Sequence, residues 1–184
     1  MSGGSPEDER DKPEELMWEG RFITARRRGR WEYVSRARGI GAAVILAIEE
    51  APEGRHVILV DQYRVPLGRR CIELPAGLVG DEAAGEDPAL AAARELEEET
   101  GYRAGRMVDL GRFWSSPGMV SESFTLFRAL DLVRVGEGGG VPGEDIRVHR
   151  VLIDRLADWI AARRAEDHAV DVKLLLLLGG AMTG

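Results

Sequence analysis

The chain has 184 residues, 44% of them hydrophobic and 31% charged, a balance that predicts one folded domain with a small appendage. Its 25 basic and 32 acidic residues leave a net charge of −7, which argues against a nucleic-acid groove or an anionic membrane as the main partner. Cys71 is the only cysteine, so no intrachain disulfide forms; no signal peptide is read, and the leucine run 174–178 is far too short to span a bilayer, so a cytoplasmic protein is expected.

Residues 1–15 are polar, charged and Gly/Pro-containing, and read as a disordered tail. Residues 18–35 alternate apolar and polar around Phe22, Trp31 and Tyr33, which predicts two or three antiparallel strands turning near Arg28-Gly29-Arg30. This N-terminal strand region is assigned to 16–40 and the main domain to 41–184. Apolar runs at 41–48 and 56–63 predict strands, with a shorter one at 70–74. A helix is predicted from about 87 to 100, then strands at 106–113 and 123–133. Residues 136–143 read as a Gly-rich flexible connection. Residues 145–152 alternate again, and helices are predicted at 154–163 and 170–178. Strands, one helix, strands, then helices imply an α+β or layered α-β-α arrangement, not a doubly wound sheet. No internal repeat, P-loop or dinucleotide fingerprint is present.

The helix at 87–100 carries the chemistry. At 3.6 residues per turn, Glu98 and Glu99 are the i+3 and i+4 neighbours of Glu95, so three carboxylates share one face. Ala89, Ala92, Ala93 and Leu96 fall largely on the opposite side. Asp87 is placed to cap the start, Pro88 suits the first turn, and Gly101 suits the left-handed position after the last. Like charges at i,i+4 cost roughly 0.2–0.5 kcal/mol per pair. Arg94, reaching Glu98, offsets part of that. A cation among Glu95, Glu98 and Glu99 offsets the rest, and carboxylate oxygens without His or Cys select a hard ion, Mg2+ first and Mn2+ second.

The spacing G-x5-E-x7-R-E-L-x-E-E-x-G-Y is met at every fixed position from Gly80 through Glu86 and Arg94 to Tyr102. It resembles the signature of the Nudix hydrolases, which cut diphosphates bearing a nucleoside on one side. Here Pro75-Ala76-Gly77 precedes Gly80 by three residues, so either Gly77 or Gly80 is the structural glycine of the motif. The flanking segments Gln62-Tyr63-Arg64, Glu73-Leu74-Pro75-Ala76-Gly77, Ser116-Pro117-Gly118 and Ser121-Glu122 resemble the branch that holds ADP-ribose pyrophosphatases and nucleoside-diphosphate-sugar hydrolases.

That resemblance implies a mixed sheet between helices with a small N-terminal antiparallel sheet. It also implies a homodimer in which the N-terminal strands exchange. Metal ligands would be Glu95, Glu98, Glu99 and the Ala76 carbonyl. Candidate catalytic residues are Glu98, Arg94 and a loop carboxylate acting as general base, with Glu144 the nearest match. Asp145, Glu137 and Glu122 are further candidates for the base, and Pro142 competes for its register. Arg64 would clamp substrate phosphates through its fork of N–H donors. Ser121 and Glu122 would face the substrate, with Trp31, Phe22 and Arg21 as candidates for stacking on a purine. Residues 143–149 resemble the segment after the long loop, and His149 reads as a satisfied structural histidine. The expected reaction is Mg2+-dependent hydrolysis of ADP-ribose or a related ADP-sugar to AMP and a sugar phosphate. GDP-mannose or a UDP-sugar is the alternative substrate. A ligand-binding regulator of the same fold is the alternative of another class, and retention of all three glutamates favours an enzyme.

Overall fold

A computed structural model of the chain describes residues 5–37, 41–79 and 87–183. Gly80 and Glu86 of the motif lie outside the described residues.

Three strands, β1 (Glu14–Glu19), β2 (Ile23–Arg28) and β3 (Trp31–Arg36), form a separate antiparallel sheet in the order β1-β2-β3. The stretch assigned to a disordered tail carries structure from Ser5 onward: Pro6–Glu9 makes one 3-10 turn capped by Ser5, and β1 begins at Glu14. Its polar composition hid this because the turn is held by charge pairs, such as Lys12 with Glu9 at 2.8 Å, and by Arg28 donating to the Arg10 carbonyl at 3.2 Å.

The main sheet contains β4 (Gly41–Ala51), β5 (Gly54–Arg64), β6 (Arg69–Glu73), β7 (Ala76–Val79), β8 (Tyr102–Trp114), β9 (Ser123–Arg134), β10 (Arg147–Leu152) and β11 (Ala169–Val170). Its main path runs β11-β6-β5-β4-β9-β8, with β10 added on β5 and β7 on β4. The β4–β9 and β11–β6 pairs are parallel and the rest antiparallel, so the sheet is mixed. Three helices lie among the described residues: α1 (Pro88–Thr100), α2 (Leu156–Ala165) and α3 (Leu175–Thr183).

Successive side chains of a strand point to opposite faces, and here both faces are covered. Ala43, Ile45 and Ala47 of β4, Ile58 of β5, and Phe127 and Ala129 of β9 pack with Ala92 and Leu96 of α1. Val44, Val57, Leu59, Ile72, Phe124 and Leu126 on the other face pack with Leu156, Ile160, Leu174 and Leu178. This explains why β4 and β5 read as nearly continuous apolar runs instead of strict alternation. The result is the α+β sandwich with a small second sheet.

Two local expectations change. The helix predicted to begin at Val170 starts only at Leu175. Ala169 and Val170 pair with Cys71 and Ile72 as a parallel strand, and Asp171 then caps a 3-10 turn, its Oδ1 accepting from Lys173 N–H at 2.7 Å. Strand β7 was not anticipated: Ala76 to Val79 lie against Val44 to Gly41, a pairing specified by position and not by local pattern. Among the described residues no helix is long and apolar enough to cross a membrane.

Candidate active site

Helix α1 starts where its cap predicts: Asp87 Oδ1 accepts from Ala89 N–H at 2.8 Å, and Pro88 occupies the first turn. It ends at Gly101, whose φ of 72° is the left-handed geometry and whose N–H donates to the Glu97 carbonyl at 2.8 Å. Between these ends the helix turns its alanines and Leu96 to the sheet. Glu99 is carried into a buried position, 8% exposed, where its Oε2 accepts the Ala76 N–H at 3.0 Å. Burial, together with the neighbouring charges of Glu95 and Glu144, pushes its carboxyl up to about 8, against the opposing effects of the Ala76 N–H and of Arg64. Arg94 reaches both Glu95, at 3.0 Å, and Glu98, at 3.2 Å. Glu97 points elsewhere, to a two-bond pair with Arg103.

Gly77 leaves room for Glu95. A Cβ there would come within 2.1 Å of Glu95 Cγ and Cδ, so any other residue displaces that side chain from its place against β7.

Among the described residues no three Asp, Glu, His or Cys side chains already close around one point. Arg94 sits between Glu95 and Glu98, and the Ala76 amide engages Glu99. The donor set nevertheless fits a hard divalent cation. It is all oxygen, it includes a buried carboxylate that resists ionisation, and its acidic members outnumber the cation on the same face.

The connection at 136–143 is not the flexible link its glycines suggested. Gly139 and Gly140 donate to the carbonyls of Glu99 and Glu98 at 2.8 and 3.0 Å, and Val135 and Gly136 donate to the Gly101 carbonyl at 2.8 and 3.1 Å. These bonds satisfy carbonyls that a helix end otherwise leaves unpaired. Gly138 has a φ of 71°, and a Cβ there would stand 2.4 Å from the Thr100 carbonyl carbon. The glycines therefore permit a close backbone approach.

The same connection, continued to β10, delivers three of the four carboxylates considered as bases. Glu137 pairs with Arg134 at 3.1 Å, Asp145 with Arg70 at 2.7 Å, and Glu122, from the loop after β8, with Arg36. Glu144 instead accepts the Val141 N–H at 2.9 Å, and its charge is felt at Glu99.

Next to Ala76 opens a cavity of about 360 Å3 whose lining includes Arg36, Arg64, Glu73, Glu122, Phe124 and Lys173. Arg64 is gripped by Glu73 through Nε at 2.6 Å and Nη2 at 2.9 Å, which uses two of the five donors in its fork. Lys173 pairs with Asp171 at 2.7 Å and lies 5.6 Å from the Phe124 ring centre. Arg36 and Lys173 were not singled out in the sequence. Arg36 is one arginine in an arginine-rich stretch, and Lys173 is a lone cation between apolar residues, so only the fold brings them beside Arg64. Cys71 also lines this cavity, and burial pushes its thiol up to about 12, so it is a protonated packing residue and not a nucleophile.

Trp31 and Ser121 line a second cavity, of about 420 Å3, with Arg28, Tyr33, Pro117 and Val120. The loop after β8 is docked on β3 here: Val34 and Val120 form a bridge, the Ser35 and Ser121 hydroxyls lie 2.7 Å apart, and Arg36 pairs with Glu122. Arg21 reaches neither of these two cavities. It sits in the β1–β2 turn with its guanidinium 4.9 Å from the centre of the exposed Phe22 ring. The arginine and the ring are adjacent in sequence, and neither lines the two cavities.

Residues 38–171 match the NUDIX domain. The chain is 42% identical over 128 residues to an ADP-ribose pyrophosphatase of Bacillus subtilis (strain 168), covering 69% of this chain and 66% of that one. It is 34% identical over 128 residues to a methanol dehydrogenase activator of Bacillus methanolicus, with the same two coverages. It is 34% identical over 150 residues to a GDP-mannose pyrophosphatase of Enterobacter sp. (strain 638), covering 77% and 72%. The first two matches thus span just under two thirds of those relatives' lengths. The solved structure of an ADP compounds hydrolase superposes with a TM-score of 0.65 over 94% of this chain and 92% of that one, a likeness of fold at 23% identity. The acidic helix, the sheet it packs on and the matched span together establish that the chain belongs to the NUDIX family.

Proposed function

We propose that this protein is a Mg2+-dependent hydrolase that splits the diphosphate of ADP-ribose or a related ADP-sugar into AMP and a sugar phosphate, with Mn2+ as the substitute ion. One observation carries the reading: the carboxylates of α1 face Ala76-Gly77 directly beside a cavity lined by three cationic side chains. The similarity to the B. subtilis ADP-ribose pyrophosphatase supports the choice of substrate.

On this reading Glu95, Glu98, Glu99 and the Ala76 carbonyl hold the divalent ions, which when bound neutralise the diphosphate and acidify a water. Arg94 sets the spacing of Glu95 and Glu98. Arg64, held by Glu73, presents its remaining donors to a phosphate oxygen, and Arg36 and Lys173 balance the rest of the charge. Glu144 takes the proton of the attacking water, as the one base candidate bound to a backbone amide and not to an arginine. Trp31 offers the nucleobase a flat face with Ser121 beside it, and Glu122 supplies a polar contact from the neighbouring cavity that holds Arg64.

The exposed Leu16, Met17, Trp18 and Phe22 of the N-terminal sheet support a homodimer in which a second copy covers this surface and receives Arg21. Light scattering that shows a monomer at micromolar concentration would remove this part. A reducing, cytoplasmic setting fits a lone buried thiol.

The test is a panel of nucleoside-diphosphate sugars assayed with Mg2+ and with chelator, the products separated by chromatography. Release of AMP from ADP-ribose, fastest of the panel and abolished by chelator, is expected. Preference for GDP-mannose would move the protein to the second reading, which the Enterobacter relative supports. No hydrolysis of any member would leave a binding role.

A further inference from the structure

A second charged cluster lies under the same sheet, away from the acidic helix. Asp61 of β5 is 2% exposed. Its Oδ1 accepts from Arg70 Nε at 2.6 Å and its backbone carbonyl from Arg70 Nη2 at 2.7 Å. The other carboxylate oxygen faces Nε2 of His149 at 3.5 Å and of His168 at 3.4 Å. A buried carboxylate held this way keeps its arginine in one orientation.

The guanidinium does not stop at Asp61. Nη1 donates to Asp145 Oδ2 at 2.7 Å, and Nη2 also donates to the Asp145 carbonyl at 2.9 Å. Asp145 follows Glu144 directly and has a φ of 47°, a left-handed geometry that Asp and Asn accept more readily than other non-glycine residues. On the next residue back, Gln62 donates to the Glu144 carbonyl at 3.3 Å. On the next residue forward, Ile146 is buried. Three consecutive residues are therefore pinned at the point where Glu144 leaves the loop.

We propose that Asp61, Arg70 and Asp145 form a brace that positions Glu144, with Arg70 the residue that transmits the rigidity of the sheet to the loop. The proposal rests on the reading of Glu144 as general base. Arg70 touches no substrate on this reading and is a positioning residue. Lysine cannot replace it, because a single ammonium has no planar fork to grip two residues in fixed directions.

Two variants test the brace. Asp145→Asn keeps the shape and tolerates a positive φ at an exposed position, so the fold survives. Arg70→Lys keeps a cation beside Asp61. In both, hydrogen exchange of the amides of 141–146 is expected to quicken about tenfold. Turnover is expected to fall about tenfold to a hundredfold with KM little changed. In a Glu144→Gln background, Asp145→Asn should cause no further loss, because it acts through the missing carboxylate. Unchanged exchange overturns the brace. An equal loss of kcat in both backgrounds overturns the positioning of Glu144. Full activity in Glu144→Gln alone sinks the base assignment and the positioning role with it, while the exchange rates still decide whether the brace holds the loop.

Discussion

Two buried carboxylates on either side of the loop at 136–146 are treated in opposite ways. Asp61 is paired: Arg70 donates to one carboxylate oxygen and to the backbone carbonyl, and two imidazoles face the other oxygen. Glu99 receives one backbone N–H, and burial first, with the charges of Glu95 and Glu144 added, holds its carboxyl near 8 against that bond and Arg64. The first arrangement gives its acid an arginine of the same sheet as partner. The second is a buried acid with like charges beside it, the kind of perturbed group that marks a candidate site.

Removing each charge should expose the contrast. Glu99→Gln is expected to lower kcat on the order of a thousandfold, the scale of losing several kcal/mol of charge stabilisation. The same change should relieve the metal-free protein. A carboxyl raised from 4.5 to about 8 on folding contributes stability that is fully present below about 4.5 and lost as pH rises through about 8. In chelator, thermal melts between pH 5 and 9 should therefore show the wild type losing stability relative to Glu99→Gln as pH rises. Excess Mg2+ should reverse that loss. A pH-independent difference between the two proteins would contradict the assignment of Glu99 as an uncompensated buried acid.

Arg70→Met makes the opposite perturbation by stranding Asp61. Breaking a buried pair costs about 3 kcal/mol or more, read as a lower urea midpoint with an unchanged slope. Gly77→Ala should leave stability nearly intact and yet cost about a hundredfold in kcat, because the new methyl displaces Glu95. A steady-state assay beside a melting curve checks both halves. The smallest effect belongs to Lys173→Ala. Loss of one partly screened phosphate contact should raise KM about tenfold with kcat preserved, and a fall in kcat alone would move Lys173 out of the binding role.

Legibility in the sequence followed the range of the interactions. Asp87, Pro88 and Gly101 act within one turn, so the bounds of α1 were readable, as was the shared face of Glu95, Glu98 and Glu99. The apolar runs at 41–48 and 56–63 announced two strands, and the structure shows that both of their faces are covered. The glycines at 136–143 misled, because glycine permits both mobility and close approach, and only the carbonyls at the end of α1 decide between them. Strand β11 was read as helix because two residues beside a leucine run carry no pattern of their own. Their pairing with Cys71 and Ile72 is made about a hundred residues away.

Periodicity and local spacing thus determined by themselves the helix and its acidic face, because each rests on neighbours a few positions apart; the order of elements along the chain gave the α+β class, and the resemblance of the motif gave the family. Only the tertiary structure decided which carboxylates are paired and which are not. It set Arg36 and Lys173 beside Arg64, pressed Gly77 against Glu95, and gave Arg70 its grip on both Asp61 and Asp145. Burial and charge pairing are sums over residues that meet only when the sheet closes, and no local stretch of chain contains them.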